Sequence, residues 1–162
     1  MALELIKTNT STGASASAFT ANIDDTYKLY IFEFTSINPD TDNTDFQFQV
    51  NASGESGYNE TAVSTSFSSL HNEADSAEAL AYQTSHDNVG TGYNSLAYDV
   101  GNDADATIDG VMNLYNPSDG TYVTHWQCRT ASKAYNDAVI DKIPSGYFNV
   151  TTAITEINFK MS

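Results

Sequence analysis

Apolar and polar residues alternate one by one along much of this chain, a rhythm that a strand can use and a helix cannot. In Asp45-Phe-Gln-Phe-Gln-Val-Asn51, Phe46, Phe48 and Val50 share one face, and Gln47 and Gln49 share the other. Successive strand side chains point to opposite faces, so the run reads as a half-buried antiparallel strand. Tyr122 to Thr130 groups Tyr122, Trp126 and Cys128 on one face, with Val123, His125, Gln127 and Arg129 on the other. Thr107 to Tyr115 aligns Ile108, Met112 and Leu114, with Gly110 as a candidate bulge. Ile154 to Met161 aligns Ile157, Phe159 and Met161. Thr61, Val63, Thr65 and Phe67 suggest another strand, rich in β-branched residues.

One run breaks the rhythm. Thr26-Tyr-Lys-Leu-Tyr-Ile-Phe-Glu-Phe-Thr35 is apolar on both faces, with Tyr27, Leu29 and Ile31 on one side and Tyr30, Phe32 and Phe34 on the other. A strand apolar on two sides needs a second layer, supplied by this chain or by another subunit. These six side chains are the expected subunit interface.

Turn chemistry separates the runs: Asn38-Pro-Asp40, Asn116-Pro-Ser-Asp-Gly120 and Pro144-Ser-Gly146. Thr8 to Ala18 is a Ser/Thr/Ala tract without periodicity and reads as an extended arm. A helical signal occurs at His71 to Tyr82, where Asn72 precedes good helix formers and Asp75 sits three residues on; an ordered loop is the alternative. About eight strands between turns give an all-β fold, an antiparallel β-sandwich of jelly-roll type, with a closed barrel as alternative. Residues 1–20 form an N-terminal strand and arm, and 21–162 form a single sandwich domain.

The chain carries six Lys and Arg against 21 Asp and Glu, a net charge of −15 over 162 residues. Such a surface cannot neutralise phosphates, which excludes nucleic acid and anionic membranes as partners. Met1 to Lys7 lacks the basic start and apolar length of a signal peptide, and no run is long enough for a membrane helix, so synthesis in a cytosol is expected. Cys128 is the sole cysteine, which rules out an intrachain disulfide framework.

Chemistry-bearing motifs are sparse. No Gly-x-Ser-x-Gly, Gly-x-Gly-x-x-Gly, P-loop or His-Glu-x-x-His pattern occurs, so no enzyme class and no cofactor is indicated. His71, His86 and His125 show no metal-ligand spacing. Cys128 reads as a core residue beside Trp126, with Arg129 on the opposite face. Asp40-Thr-Asp-Asn-Thr-Asp45 and Asp103-Ala-Asp-Ala-Thr-Ile-Asp109 raise calcium, but neither fits an EF-hand loop, and they read as solvated turns. Glu33, the acid inside the apolar strand, is the best candidate for a perturbed carboxyl. Tyr58, Tyr82, Tyr93 and Tyr98 lie in or near expected loops, where rings serve either as interface anchors or as sugar platforms.

Several runs resemble a family of small virion proteins of tailed bacteriophages, especially marine ones: Met1-Ala-Leu-Glu-Leu-Ile-Lys7, Tyr27-Lys-Leu-Tyr-Ile-Phe-Glu-Phe34, Ile37-Asn-Pro-Asp-Thr-Asp42, Phe46-Gln-Phe-Gln49 and Gly146-Tyr-Phe-Asn149. The resemblance covers most of the chain without a catalytic signature. It implies a non-enzymatic capsid decoration, knob or fibre-associated protein, assembled in the host cytoplasm and located on the virion. The expected state is a homo-oligomer, a trimer above others, in contact with capsid or tail proteins. The alternative is a carbohydrate-binding module of an adsorption apparatus, with a host glycan as partner.

Overall fold

The computed structural model describes residues 3–162; Met1 and Ala2, the start of the N-terminal segment, lie outside it. Leu3 to Ser15 form an extended arm without regular structure. Eleven strands follow: β1 (Ala16–Phe19), β2 (Leu29–Ile37), β3 (Thr44–Ala52), β4 (Ala62–Asn72), β5 (Glu78–Tyr82), β6 (Val89–Gly90), β7 (Asn94–Val100), β8 (Ile108–Tyr115), β9 (Thr124–Lys133), β10 (Ala138–Phe148) and β11 (Ile154–Met161). All pairings are antiparallel.

The strands form two packed sheets. The smaller has order β1-β11-β3-β7 and the larger β2-β8-β9-β10-β4-β5, with β6 beside β4. The β9–β10 hairpin is inserted between β8 and β4. Without it the orders read 1-11-3-7 and 2-8-4-5, the double-sheet arrangement of a jelly roll. The expected β-sandwich is therefore the observed one, and its extra strands are that hairpin and short β6.

Alternation put the correct faces inward on most strands. Phe46, Phe48 and Val50 of β3, Ile108, Met112 and Leu114 of β8, Trp126 and Cys128 of β9, and Ile157 and Phe159 of β11 all lie in one core. Phe159 is its hub. Its ring centroid lies 5.2 Å from Phe34, 5.5 Å from Phe32, 5.9 Å from Phe46, 6.1 Å from Phe48 and 6.3 Å from Phe19. These rings come from both sheets, so one side chain ties the layers together.

Five expectations need correction. The stretch from His71 to Tyr82 is a β-hairpin, not a helix. The Asn72 side chain accepts from the backbone N–H groups of Ser76 and Ala77, closing a tight turn with Asp75 in the left-handed region. An Asn side chain that bonds local backbone favours a turn over a helix interior. Pro144-Ser145-Gly146 is no turn either but the middle of β10. Pairing with β9 lapses at Ile143 and Pro144 and resumes at Ser145, as expected where proline offers no N–H. Tyr122 lies outside β9 and is exposed. Tyr98 sits buried on β7 rather than in a loop. Gly110 pairs regularly with Thr130; the bulge lies opposite, on β2 between Phe34 and Ile37, where Ser36 adopts a positive φ.

Gly110 is required for a different reason. A Cβ there would lie 2.5 Å from the Arg129 carbonyl oxygen. Gly110→Ala is expected to push β8 from β9 and lower stability by about 1–3 kcal/mol, measurable by urea unfolding. Unchanged stability would show that the two strands separate freely here.

Candidate functional site

The six residues expected at an interface divide between two faces. Tyr30 and Phe34 are buried and Phe32 packs on the same core, so this chain's own smaller sheet supplies the second layer for that side of β2. The Tyr30 hydroxyl also donates to Asp24. Tyr27 is half-buried, edge-on to Tyr30, and its hydroxyl donates to Glu4 of the arm. That bond and the nearby charge of Glu4 hold the Tyr27 hydroxyl above its usual range. Leu29 is half-buried and Ile31 is exposed on the outer face beside exposed Val111 of β8. Of the six, Ile31 offers the most apolar surface to a neighbour. Glu33 shares that solvent face.

The most uncovered apolar surface lies elsewhere. β5 pairs with β4, and all five of its residues are exposed. The larger sheet overhangs the smaller one here, so β5 has solvent on both faces. Leu80 is 78% exposed, and Tyr82 and Phe67, register partners, are exposed beside it. Exposed Val139 lies across β4 from β5, and a depression of about 540 Å³ separates it from Leu80. The arm adds Leu3 and Leu5, 76% and 83% exposed. It is anchored by Asn9, whose side chain donates to Ser17 and to the Ala18 carbonyl, and by Lys7 over the Phe19 ring.

Sequence reasoning missed a buried polar cluster between the sheets. Lys142 of β10 points inward in register with Ile140 and has no exposed surface. Its Nζ donates to the Ser95 carbonyl at 2.9 Å and to Ser95 Oγ at 2.7 Å, joining β10 to β7. Ser95 Oγ lies 3.3 Å from Asp45 Oδ2, which is 3.6 Å from His86 Nε2. The His86 ring stacks on Tyr98 at 4.4 Å, and the Tyr98 hydroxyl shares a 2.7 Å bond with Ser68. Burial pushes the Lys142 ammonium down to about 7, against which the charge of Asp45 acts only partly. Burial and Lys142 together lower His86, while burial and Asp45 raise Asp99. The Lys142–Ser95 pair has the chemistry of an amine beside a hydroxyl. Ser95 is buried and lines neither surface depression. The cluster joins the sheets.

The remaining candidates separate. Cys128 is buried, its thiol pushed up to about 12 by burial, and Arg129 points away to make a two-pronged pair with Asp141 at 2.9 and 2.8 Å. His71 faces Asp75, His86 lies in the buried cluster, and His125 lies on the outer face of β9. The acidic loops bind each other: Asp42 and the Asp40 carbonyl accept from Asn102, and Asn38 donates to the Asp103 and Ala106 carbonyls. Asp103 and Asp105 face Lys133 at 3.5 and 3.6 Å. Among the described residues, no three His, Cys, Asp or Glu side chains converge as a metal site. The four tyrosines do not form one patch: Tyr58 bonds Glu156, Tyr93 accepts from Asn158, Tyr98 is buried and Tyr82 lies on β5.

A second depression, about 460 Å³, lies on the outer face of the larger sheet. Tyr115, His125 and Tyr147 stand side by side there on β8, β9 and β10. Searches of protein families, curated proteins and solved structures return no match to this chain.

Proposed function

We propose that this chain is a non-enzymatic building block of a bacteriophage virion, a capsid decoration, knob or fibre-associated protein that works through contacts between subunits. The observation that carries the reading is β5, a strand solvated on both faces that still presents Leu80 and Tyr82. Exposed apolar patches of this kind are uncommon on monomers and mark interaction surfaces, and open strand edges template pairing with another chain. The arm supplies a second contact, with Leu3 and Leu5 facing away from the body. The resemblance of the quoted runs to phage virion proteins supports the same reading. The acidic surface suits a protein packed in many copies, because like charges keep free subunits apart until a specific contact forms.

Sedimentation velocity of the full chain tests this. The expected result is a symmetric oligomer, with a trimer foreseen. Leu80→Lys should convert it to monomers while unfolding free energy at low protein concentration changes by no more than about 0.5 kcal/mol, as for a surface site. A wild-type protein that stays monomeric at high concentration and does not attach to particles would sink the reading.

A further inference from the structure

The depression on the outer face of the larger sheet has the composition of a sugar site. Tyr115 pairs with His125, and His125 pairs with Tyr147, so three rings cross three adjacent strands in one row. The His125 and Tyr147 ring centroids are 5.8 Å apart. Neighbouring strands lie about 4.8 Å apart, so the row spans roughly 10 Å, the length of two pyranose rings. The next row along the sheet is polar. Gln127 pairs with Ser145, and Ser145 pairs with Thr65. The Tyr115 hydroxyl donates to Gln127 Oε1 at 3.0 Å, which leaves the Gln127 amide N–H groups free to donate outward.

We infer that this depression binds a neutral oligosaccharide, with Tyr115, His125 and Tyr147 stacking on its sugar faces and Gln127, Ser145 and Thr65 bonding its hydroxyls. Four observations select that occupant. The electron-rich face of an aromatic ring attracts the weakly positive C–H face of a pyranose. The polar row lies two residues along the strands, about 7 Å away, where the hydroxyls at the rim of a stacked sugar would project. No carboxylate lines the depression, although the chain carries 21 acids, so the site does not select a cation. The net charge of −15 disfavours sialylated or uronate-bearing chains by repulsion. The size also fits a small ligand. A volume of about 460 Å³ is ligand-sized, whereas a stable protein interface buries about 800 Å² on each partner. Arg129 and Asp141 bound the patch with charge, which a second copy docked flat on this sheet would have to desolvate. The inference does not rest on the assembly reading, because β5 and the arm contribute nothing to this depression.

An array of neutral oligosaccharides, followed by titration calorimetry with the best binder, provides the test. The wild type should bind at least one neutral probe and no sialylated or uronate probe. Tyr115→Ala and Tyr147→Ala should each weaken binding at least tenfold, while Tyr147→Phe, which keeps the ring, should stay within about threefold. All three should keep the wild-type circular-dichroism spectrum and a cooperative thermal transition, with Tyr147→Phe unfolding at the wild-type temperature and the alanine variants, at half-buried strand positions, slightly below it. Absence of binding to every neutral probe overturns the proposal, as does binding that survives both alanine variants. An oligomer that Tyr147→Ala dissociates also overturns it, by showing that a second copy covers the rings. The two binding failures leave Leu80→Lys untouched, since that variant reads the assembly separately.

Discussion

Raising the pH from 7 to 9.5 should stabilise the native protein by about 3 kcal/mol through Lys142 alone, and Lys142→Met should abolish that rise. The buried amine releases its proton near 7, while the same lysine in the unfolded chain holds it to 10.5. Between those values the unfolded state binds more protons, so unfolding becomes harder as pH rises. Below pH 7 both states are protonated and the full penalty of burying the charge is felt. The groups facing Lys142 are Asp45, His86, Tyr98 and Cys128, together with Ser95, and all remain in the variant. The difference between the two pH profiles therefore isolates the lysine, apart from its coupling to those neighbours. Methionine has a similar length and no charge to desolvate, so Lys142→Met should be the more stable protein at pH 7. By pH 9.5 the order should reverse or close, because the Ser95 carbonyl and hydroxyl lose their donor in the variant. Urea unfolding across that range reads both profiles. Parallel curves would mean that the amine does not change its charge on folding as argued.

Phe159→Ala should lower stability by about 3–5 kcal/mol, the largest loss expected from one core truncation. The ring touches phenylalanines contributed by β1, β2 and β3, so its removal opens a cavity between the sheets rather than at their rim. The surrounding rings come from strands locked in ladders, which limits how far they can close the gap. Phe32→Ala, at a half-buried site on an edge strand, should lose less. Equal losses would show that the core has no hub and that the rings contribute as independent area.

The contrast between Gln49 and Phe46 shows how far alternation carries. Phe46, Phe48 and Val50 went inward as the pattern dictates. Gln49, on the opposite face, is also fully buried. Its amide donates to the Glu60 and Gly92 carbonyls, so loops from distant parts of the chain cover the face that alternation marks as wet. Lys142 was equally hidden. A lysine in register with Ile140 reads as an error in an apolar pattern unless a partner such as Ser95, 47 positions away in sequence, is known to meet it. The hairpin of β4 and β5 misled in the other direction: its residues favour a helix, but the Asn72 turn and the free edge of β4 favour pairing. The row of Tyr115, His125 and Tyr147 has no local signature at all, because its members are adjacent only across strands.

What the chain's own letters determined is the class of fold, since side-chain direction in a strand follows from backbone geometry and is written residue by residue. They also determined which way Phe48, Met112, Trp126 and Phe159 turn. Only the tertiary structure decided which faces are covered. The reach of each sheet over the other leaves β5 bare and seals Lys142, loops seal Gln49, and strand register sets three rings in line. Coverage depends on which distant segments meet, and hydrophobic burial rewards the total area removed from water rather than any local pattern.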